Sequence, residues 1–233
     1  CQPDHQKQGV WGLNRRMDNR QLVAEIIKRL KKRYPDPHSC LVHSSPFELL
    51  VATILSAQTT DAHVNKVTAS LFNKYRTIED YASVPLHELQ KDISSVNFYN
   101  NKAKNIQNAA RMILSEFNGR VPENMQDLVR LPGVARKTAN IILYDAFGKS
   151  EGIAVDTHVI RLSNLLGLTM HRDPVKIERD LMAVVPKKDW GRFPHMLVLL
   201  GREVCKARKP MHNECPLVDI CPSGSVSSHK AAL

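Results

Sequence analysis

Leu131-Pro132-Gly133-Val134-Ala135-Arg136-Lys137-Thr138-Ala139 is the stretch on which the reading of this chain turns. Apolar residues at Leu128 and Leu131 precede a Pro-Gly pair, and a helical apolar pattern follows it. The pattern predicts a short helix over Leu128–Leu131, a tight turn at Pro132-Gly133, and a helix over Arg136–Phe147 closed by Gly148. A helix that starts straight after a glycine turn leaves several backbone N–H groups unpaired. Those groups, with the positive end of the helix dipole, bind a phosphate without needing a side chain. Arg136 adds a mobile positive charge. An ordinary packing corner between two helices would use the same residues, so spacing alone leaves both readings open.

Working outward, the periodicity stays helical. Leu22, Ile26, Ile27 and Leu30 line one face of a first helix, which Pro35 and Pro37 end. Ser45-Pro46-Phe47-Glu48 has the form of a capping box with proline at the first helical position. It opens an apolar helix through Leu49, Leu50, Ile54 and Leu55. Further helices are predicted from about Thr60, over Ile78–Ser83 and Leu86–Ile93, and over Asn101–Glu116, which stops at Asn118-Gly119. Beyond Val155, three more are predicted over Thr157–Leu166, Pro174–Val185 and Phe193–Ala207. Asp173-Pro174 with Glu178 reads as another N-terminal signature. No strand alternation of useful length and no fixed-period repeat occurs, so the fold class is all-α.

The 233 residues suffice for one or two domains with a real core. Hydrophobic residues make up 42% and charged residues 24%, which fits a folded chain and not a disordered one. No run of about 18 apolar residues exists, so no membrane span is expected. The chain starts at Cys1 with polar residues and no apolar h-region, so no signal peptide is expected. Lys+Arg 33 against Asp+Glu 23 gives a net charge of +10, spread through helices and not held in one tail. Such a surface attracts polyanions, nucleic acid first. Of the five cysteines, Cys205, Cys215 and Cys221 crowd into one stretch, with Cys1 and Cys40 apart and not expected to be ligands. An odd, clustered set is not a disulfide framework and fits a metal or cluster loop in a reducing compartment.

The hairpin run resembles the helix–hairpin–helix of the endonuclease III family of DNA glycosylases. Gly152-Ile153-Ala154-Val155-Asp156-Thr157-His158-Val159 is similar to that family's Val-Asp-Thr-His segment. Leu55-Ser56-Ala57-Gln58-Thr59-Thr60-Asp61, Phe98-Tyr99-Asn100-Asn101-Lys102-Ala103 and the cysteine loop match in the same order, so the resemblance runs from about Asn19 to Cys221. It implies a two-lobed all-helical fold: a six-helix barrel at 44–150, and a second lobe from 17–43 with 151–223 that carries an iron–sulfur loop. The tail at 224–233 is expected to be disordered. Damaged double-stranded DNA would lie across the cleft between the lobes. A monomer is expected, in cytoplasm or nucleoid, with nucleus or mitochondrion left open.

The resemblance makes Lys137 the nucleophile and Asp156 its catalytic partner. The helix start and Arg136 both disfavour a further positive charge, which should lower the lysine pKa and free its lone pair. Lys137 would attack C1′ of the damaged nucleotide and expel the base. A Schiff base and β-elimination would follow, nicking the strand on the 3′ side. Asp156 would orient the nucleophile and stabilise positive charge on the sugar. Taken alone, Lys137 could equally be a solvated helix lysine and Asp156 an N-cap for the helix at Thr157. His158 reads as a packing residue and not a base. Relatives that only remove bases usually lack the lysine. The adenine-specific group carries a Glu where this chain has Thr53.

A base inside a duplex must be flipped out before it can be cut away. By resemblance Gln58 fills the gap or contacts the orphaned base, and Phe98 takes the wedge position, where an aromatic ring can stack. The hairpin contributes Gly133, Ala135 and Arg136 to the DNA contacts. Ala135 stands where many relatives have glycine. That is harmless if the position begins the helix and strained if it needs a positive φ. The family's usual substrates are oxidised or ring-damaged pyrimidines.

The family loop is Cys-x6-Cys-x2-Cys-x5-Cys. Here Cys205, Cys215 and Cys221 match the first, third and fourth positions, and His212 stands at the second. A [4Fe-4S] cluster with an imidazole ligand, a structural zinc in a Cys3His set, and an incomplete cluster all fit these donors. The ligand spacing is the cluster spacing, which favours the first. Lys206, Arg208 and Lys209 lie between the ligands, where a rigid anchor would hold them against phosphates. Two other readings stay open: a monofunctional mismatch glycosylase, and a non-catalytic hairpin protein that binds DNA.

Overall fold

The computed structural model describes residues 17–224, so the expected tail lies, Gly224 apart, outside the described residues. Among the described residues all regular structure is helical: eleven α-helices and two short 3₁₀ turns. The first, α1 (Asn19–Arg33), opens with a reciprocal cap in which Asp18 accepts from the Gln21 N–H and the Gln21 side chain accepts from the Asp18 N–H. Then come α2 (Pro46–Ser56), α3 (Asp61–Lys74), α4 (Ile78–Ser83), α5 (Leu86–Asp92), α6 (Tyr99–Glu116), α7 (Met125–Leu128) and α8 (Arg136–Phe147). Together they bury one core drawn from Leu41 to Leu143. At its centre is α2, where every residue from Leu49 to Leu55 is buried, as an all-round apolar helix demands.

The remaining helices are α9 (Thr157–Leu165), α10 (Pro174–Val184) and α11 (Arg192–Glu203). They bury a second core, to which α1 contributes Leu22, Val23, Ile26, Ile27 and Leu30. The N-terminal helix therefore packs with the C-terminal ones, and the first core is inserted between them in sequence.

The local differences from the sequence reading have identifiable causes. The first hairpin helix is Met125–Leu128 and not Leu128–Leu131, because the Asn124 side chain accepts from the Asp127 N–H and starts the helix earlier. Ser45 caps α2 by accepting from the Glu48 N–H, but Glu48 reaches back to Ser44 and not to Ser45, so no capping box forms. The last helix ends at Glu203, four residues short of Ala207, where the chain turns into the cysteine loop. Asp173 does cap α10, while Glu178 takes no part in that cap.

Candidate active site and cluster loop

The hairpin has the backbone that its sequence implies. Gly133 adopts φ +83, which favours glycine, and a Cβ there would press on the Asn105 side chain at 3.0 Å. Ala135 is the N-cap of α8 at φ −91, an extended geometry that any residue adopts, so the missing second glycine costs nothing. No side chain caps this helix start, which leaves its N–H groups available to an anion. Arg136 is not the mobile charge expected. Its Nε donates to Glu178 Oε2 at 2.7 Å, which ties α8 to α10.

Lys137 and Asp156 line one cleft, of about 80 Å³, between the two cores. Lys137 is exposed on the first turn of α8, and Asp156 is half-buried. Asp156 is also the N-cap of α9: its Oδ1 accepts from the Val159 N–H at 2.8 Å, which fixes the carboxylate beside the cleft it lines. Arg202 of α11 crosses to Asp61 at the start of α3 with a 2.7 Å ion pair, and both line the same cleft. His195, from α11, lies buried at its wall beside the buried Asp145 of α8. Burial holds His195 below the ordinary imidazole range, against the pull of Asp145. Burial likewise lowers His158, whose Nδ1 has no hydrogen-bond partner among the described residues. Thr53 is buried and donates to the Leu49 carbonyl, so no carboxylate occupies that place.

Gln58 and Phe98 sit on two turns held together. Both have left-handed backbones, φ +55 and +58, and both are exposed, Phe98 at 62%. The Asn97 side chain donates to the Gln58 carbonyl at 2.7 Å. Lys102 is buried on α6, and its Nζ donates to the carbonyls of Leu55 and Ala57 at 2.8 and 2.6 Å. The C-terminal carbonyls of α2 thus receive a cation, and the turn bearing Gln58 is anchored beneath. Burial depresses the Lys102 ammonium below the usual lysine range.

Cys205, His212, Cys215 and Cys221 surround a single cavity of about 490 Å³. Among the described residues, no three His, Cys, Asp or Glu side chains close on a point suited to one ion. Three thiols and an imidazole around one space are donors of the kind that hold an iron–sulfur cluster. Arg161 donates to Cys205 Sγ at 3.7 Å, and burial raises the Cys215 and Cys221 thiols. Arg29 of α1 locks the loop from outside, donating to the Pro216 carbonyl at 2.9 Å and to both oxygens of Asp219. Lys206, Arg208 and Lys209 are exposed and, among the described residues, enter no ion pair. Cys40 lies far from this loop in sequence, in the cleft lined by Lys137 and Asp156, with Arg202 at 3.6 Å from its sulfur.

Sequence reasoning missed Asn97, Lys102, Arg202 and Glu178 as builders of these sites. Their partners are 25 or more residues away, so the local sequence does not show which groups they hold.

Residues 51–187 match the family model described as HhH-GPD superfamily base excision DNA repair protein. The chain is 50% identical to endonuclease III of Synechocystis sp. over 92% of its length and 98% of that protein's. It is 48% identical to endonuclease III of Bacillus subtilis at the same coverages. Its fold superposes on a trapped endonuclease III–DNA covalent intermediate with a TM-score of 0.85 and 46% identity, covering 91% of this chain and 100% of that one. A thermostable thymine-DNA glycosylase also matches, with a TM-score of 0.77 at 25% identity, over 89% of this chain and 97% of that one.

Proposed function

Because the chain belongs to the endonuclease III family of the HhH-GPD superfamily, we infer that Lys137 and Asp156 carry out the chemistry of a base-excision DNA glycosylase that also cuts abasic sites. The protein is such a glycosylase and lyase, and it acts on damaged duplex DNA. The shared cleft of Lys137 and Asp156, between the two cores, is the observation that supports these roles.

In this reading the lone pair of the Lys137 amine bonds to C1′ of the extruded nucleotide. The C1′–base bond breaks, its electrons leave with the base, and the base gains a proton as the amine loses one. Opening of the sugar ring at C1′–O4′ gives an imine. Loss of a C2′ proton then expels the 3′ phosphate oxygen, and water later releases the lysine. Asp156, held by the Val159 N–H, faces the positive charge that develops at the sugar. The hairpin N–H groups, with Gly133 and Ala135, hold a phosphate, and Lys206, Arg208 and Lys209 add cationic contacts, while Arg136, anchored by Glu178, offers only the exposed part of its guanidinium. Gln58 and Phe98 enter the duplex where the base has left.

The substrates are oxidised or ring-damaged pyrimidines. The family implies a [4Fe-4S] cluster, which Cys205, His212, Cys215 and Cys221 would hold. Bound there, it would fix the loop on which Lys206, Arg208 and Lys209 stand, with base removal left to Lys137 and Asp156. The lobes divide at 44–150 against 17–43 with 151–223. The protein works as a monomer in the cytoplasm or nucleoid.

Product analysis on duplexes each holding one damaged base tests this function. Base release with a nick 3′ to the lesion is expected on oxidised pyrimidines. Release with intact strands would instead indicate a monofunctional enzyme, and binding alone would remove the catalytic reading.

A further inference from the structure

We propose that Glu178 is a positioning residue for the reaction, setting Lys137 and Asp156 against each other from a third helix. Its carboxylate is buried, with 8% of the side chain exposed. Oε2 accepts from Arg136 Nε at 2.7 Å, and Oε1 accepts from Asn140 Nδ2 at 3.1 Å and from the Ile153 N–H at 3.2 Å. Two of these donors flank Lys137 on α8: Arg136 directly precedes it and Asn140 lies one turn on. The third sits on the segment Ile153-Ala154-Val155, buried throughout, that ends at Asp156. One carboxylate thus grips both sides of the cleft within a few residues of each reacting group.

Gly152 supports this arrangement. A Cβ there would stand 2.2 Å from Glu178 Oε1 and 2.9 Å from the Asn140 amide, so glycine lets the chain close over the carboxylate. An N-cap role for Glu178 would need none of this. A buried carboxylate is tolerated only with a paired charge and saturated hydrogen bonds, so the three donors are held in one arrangement. Displacement of a reacting group by about 1 Å can cost about 100-fold in rate, which makes such a clamp a kinetic element.

The inference rests on the roles given to Lys137 and Asp156 above. Single-turnover cleavage of a duplex with one oxidised pyrimidine, at saturating protein, separates placement from binding. Glu178→Gln keeps the shape and the Oε1 acceptor but removes the charge facing Arg136. Its rate is expected to fall by about 10-fold or more while the duplex dissociation constant moves less than about threefold. A wild-type rate in a Glu178→Gln protein with wild-type melting overturns the proposal. If that variant does not fold, Arg136→Met/Glu178→Met removes both charges, a replacement that often preserves stability. A slow rate at saturation in a stable double variant supports the proposal, and a wild-type rate overturns it. Borohydride trapping is run alongside. Trapping by wild type but not by Lys137→Gln, with an unaffected Glu178→Gln, sinks this inference alone. A wild type that cannot be trapped sinks the reading beneath it.

Discussion

Asn97 donates from its side-chain amide to the main-chain oxygen of Gln58, clamping two turns that are 39 residues apart in sequence. Gln58 and Phe98 are two of the three non-glycine residues with positive φ among the described residues. Such backbones cost roughly 1–3 kcal/mol each and persist only where their surroundings over-determine them. Here Asn97 and Lys102 supply that constraint, and the strained residues are those expected to enter the duplex. Asn97→Ala should therefore lower base release from paired DNA by about 10-fold, because a wedge on a loose turn loses its preorganisation. Rates on paired and unpaired substrates measure this, and only the paired rate should fall.

Phe98→Gly separates strain from function. The ring is 62% exposed and φ +58 suits glycine, so the melting temperature should hold or rise. Loss of a stacking ring should still cost about 10- to 100-fold in cleavage of paired duplex. Parallel melting and single-turnover assays check both halves.

Lys102→Met should destabilise. It fills the same space but leaves the Leu55 and Ala57 carbonyls without their donor, at about 1–3 kcal/mol. For a chain of this size that is a fall of very roughly 2–10 °C in melting temperature. An unchanged melting point would mean that water replaces the ammonium at no cost.

His158 and His195 set an acid limit. Burial lowers both below the ordinary value of 6.5, so the unfolded chain binds protons that the folded chain refuses. Their stabilising contribution is present above pH 6.5 and is lost as pH falls below it, chiefly through the deeply buried His195, since solvent screens the half-buried His158. Melting temperature should drop on acidification below that value, and less steeply in His158→Gln/His195→Gln. Equal slopes would assign the acid sensitivity elsewhere.

The cluster loop carries its own test. His212→Ala should lose iron and visible absorbance. His212→Cys should retain both and shift the cluster to a lower reduction potential, because thiolate adds negative charge where imidazole is neutral. Iron content, absorbance and voltammetry read these without any DNA. Iron and absorbance retained in full by His212→Ala would remove His212 from the ligand set.

What could be read in the chain was whatever is encoded locally. Gly133, Ala135 and Gly148 announce the hairpin and the end of α8 because turn geometry depends on single residues. Asp156 announces the start of α9 because a cap acts three residues away. The mutual approach of Lys137 and Asp156 came only through the family resemblance. Periodicity says which face of a helix is buried, not which other helix it meets. The partners of Glu178, Arg202 and Lys102 are hidden for the same reason: Glu178 reads only as a helix-start signature and Lys102 only as part of a matching segment until a distant backbone or charge surrounds each. The start of α7 was misplaced because the Asn124 cap outweighed the apolar pattern at Leu128 and Leu131.

The most direct test of the central claim is reductive trapping on a duplex with one oxidised pyrimidine. Borohydride should fix wild-type protein covalently to DNA and should fix none of the folded Lys137→Gln variant. A Lys137→Gln protein that is trapped, or that nicks the strand as fast as wild type, would place the nucleophile elsewhere and contradict the assignment.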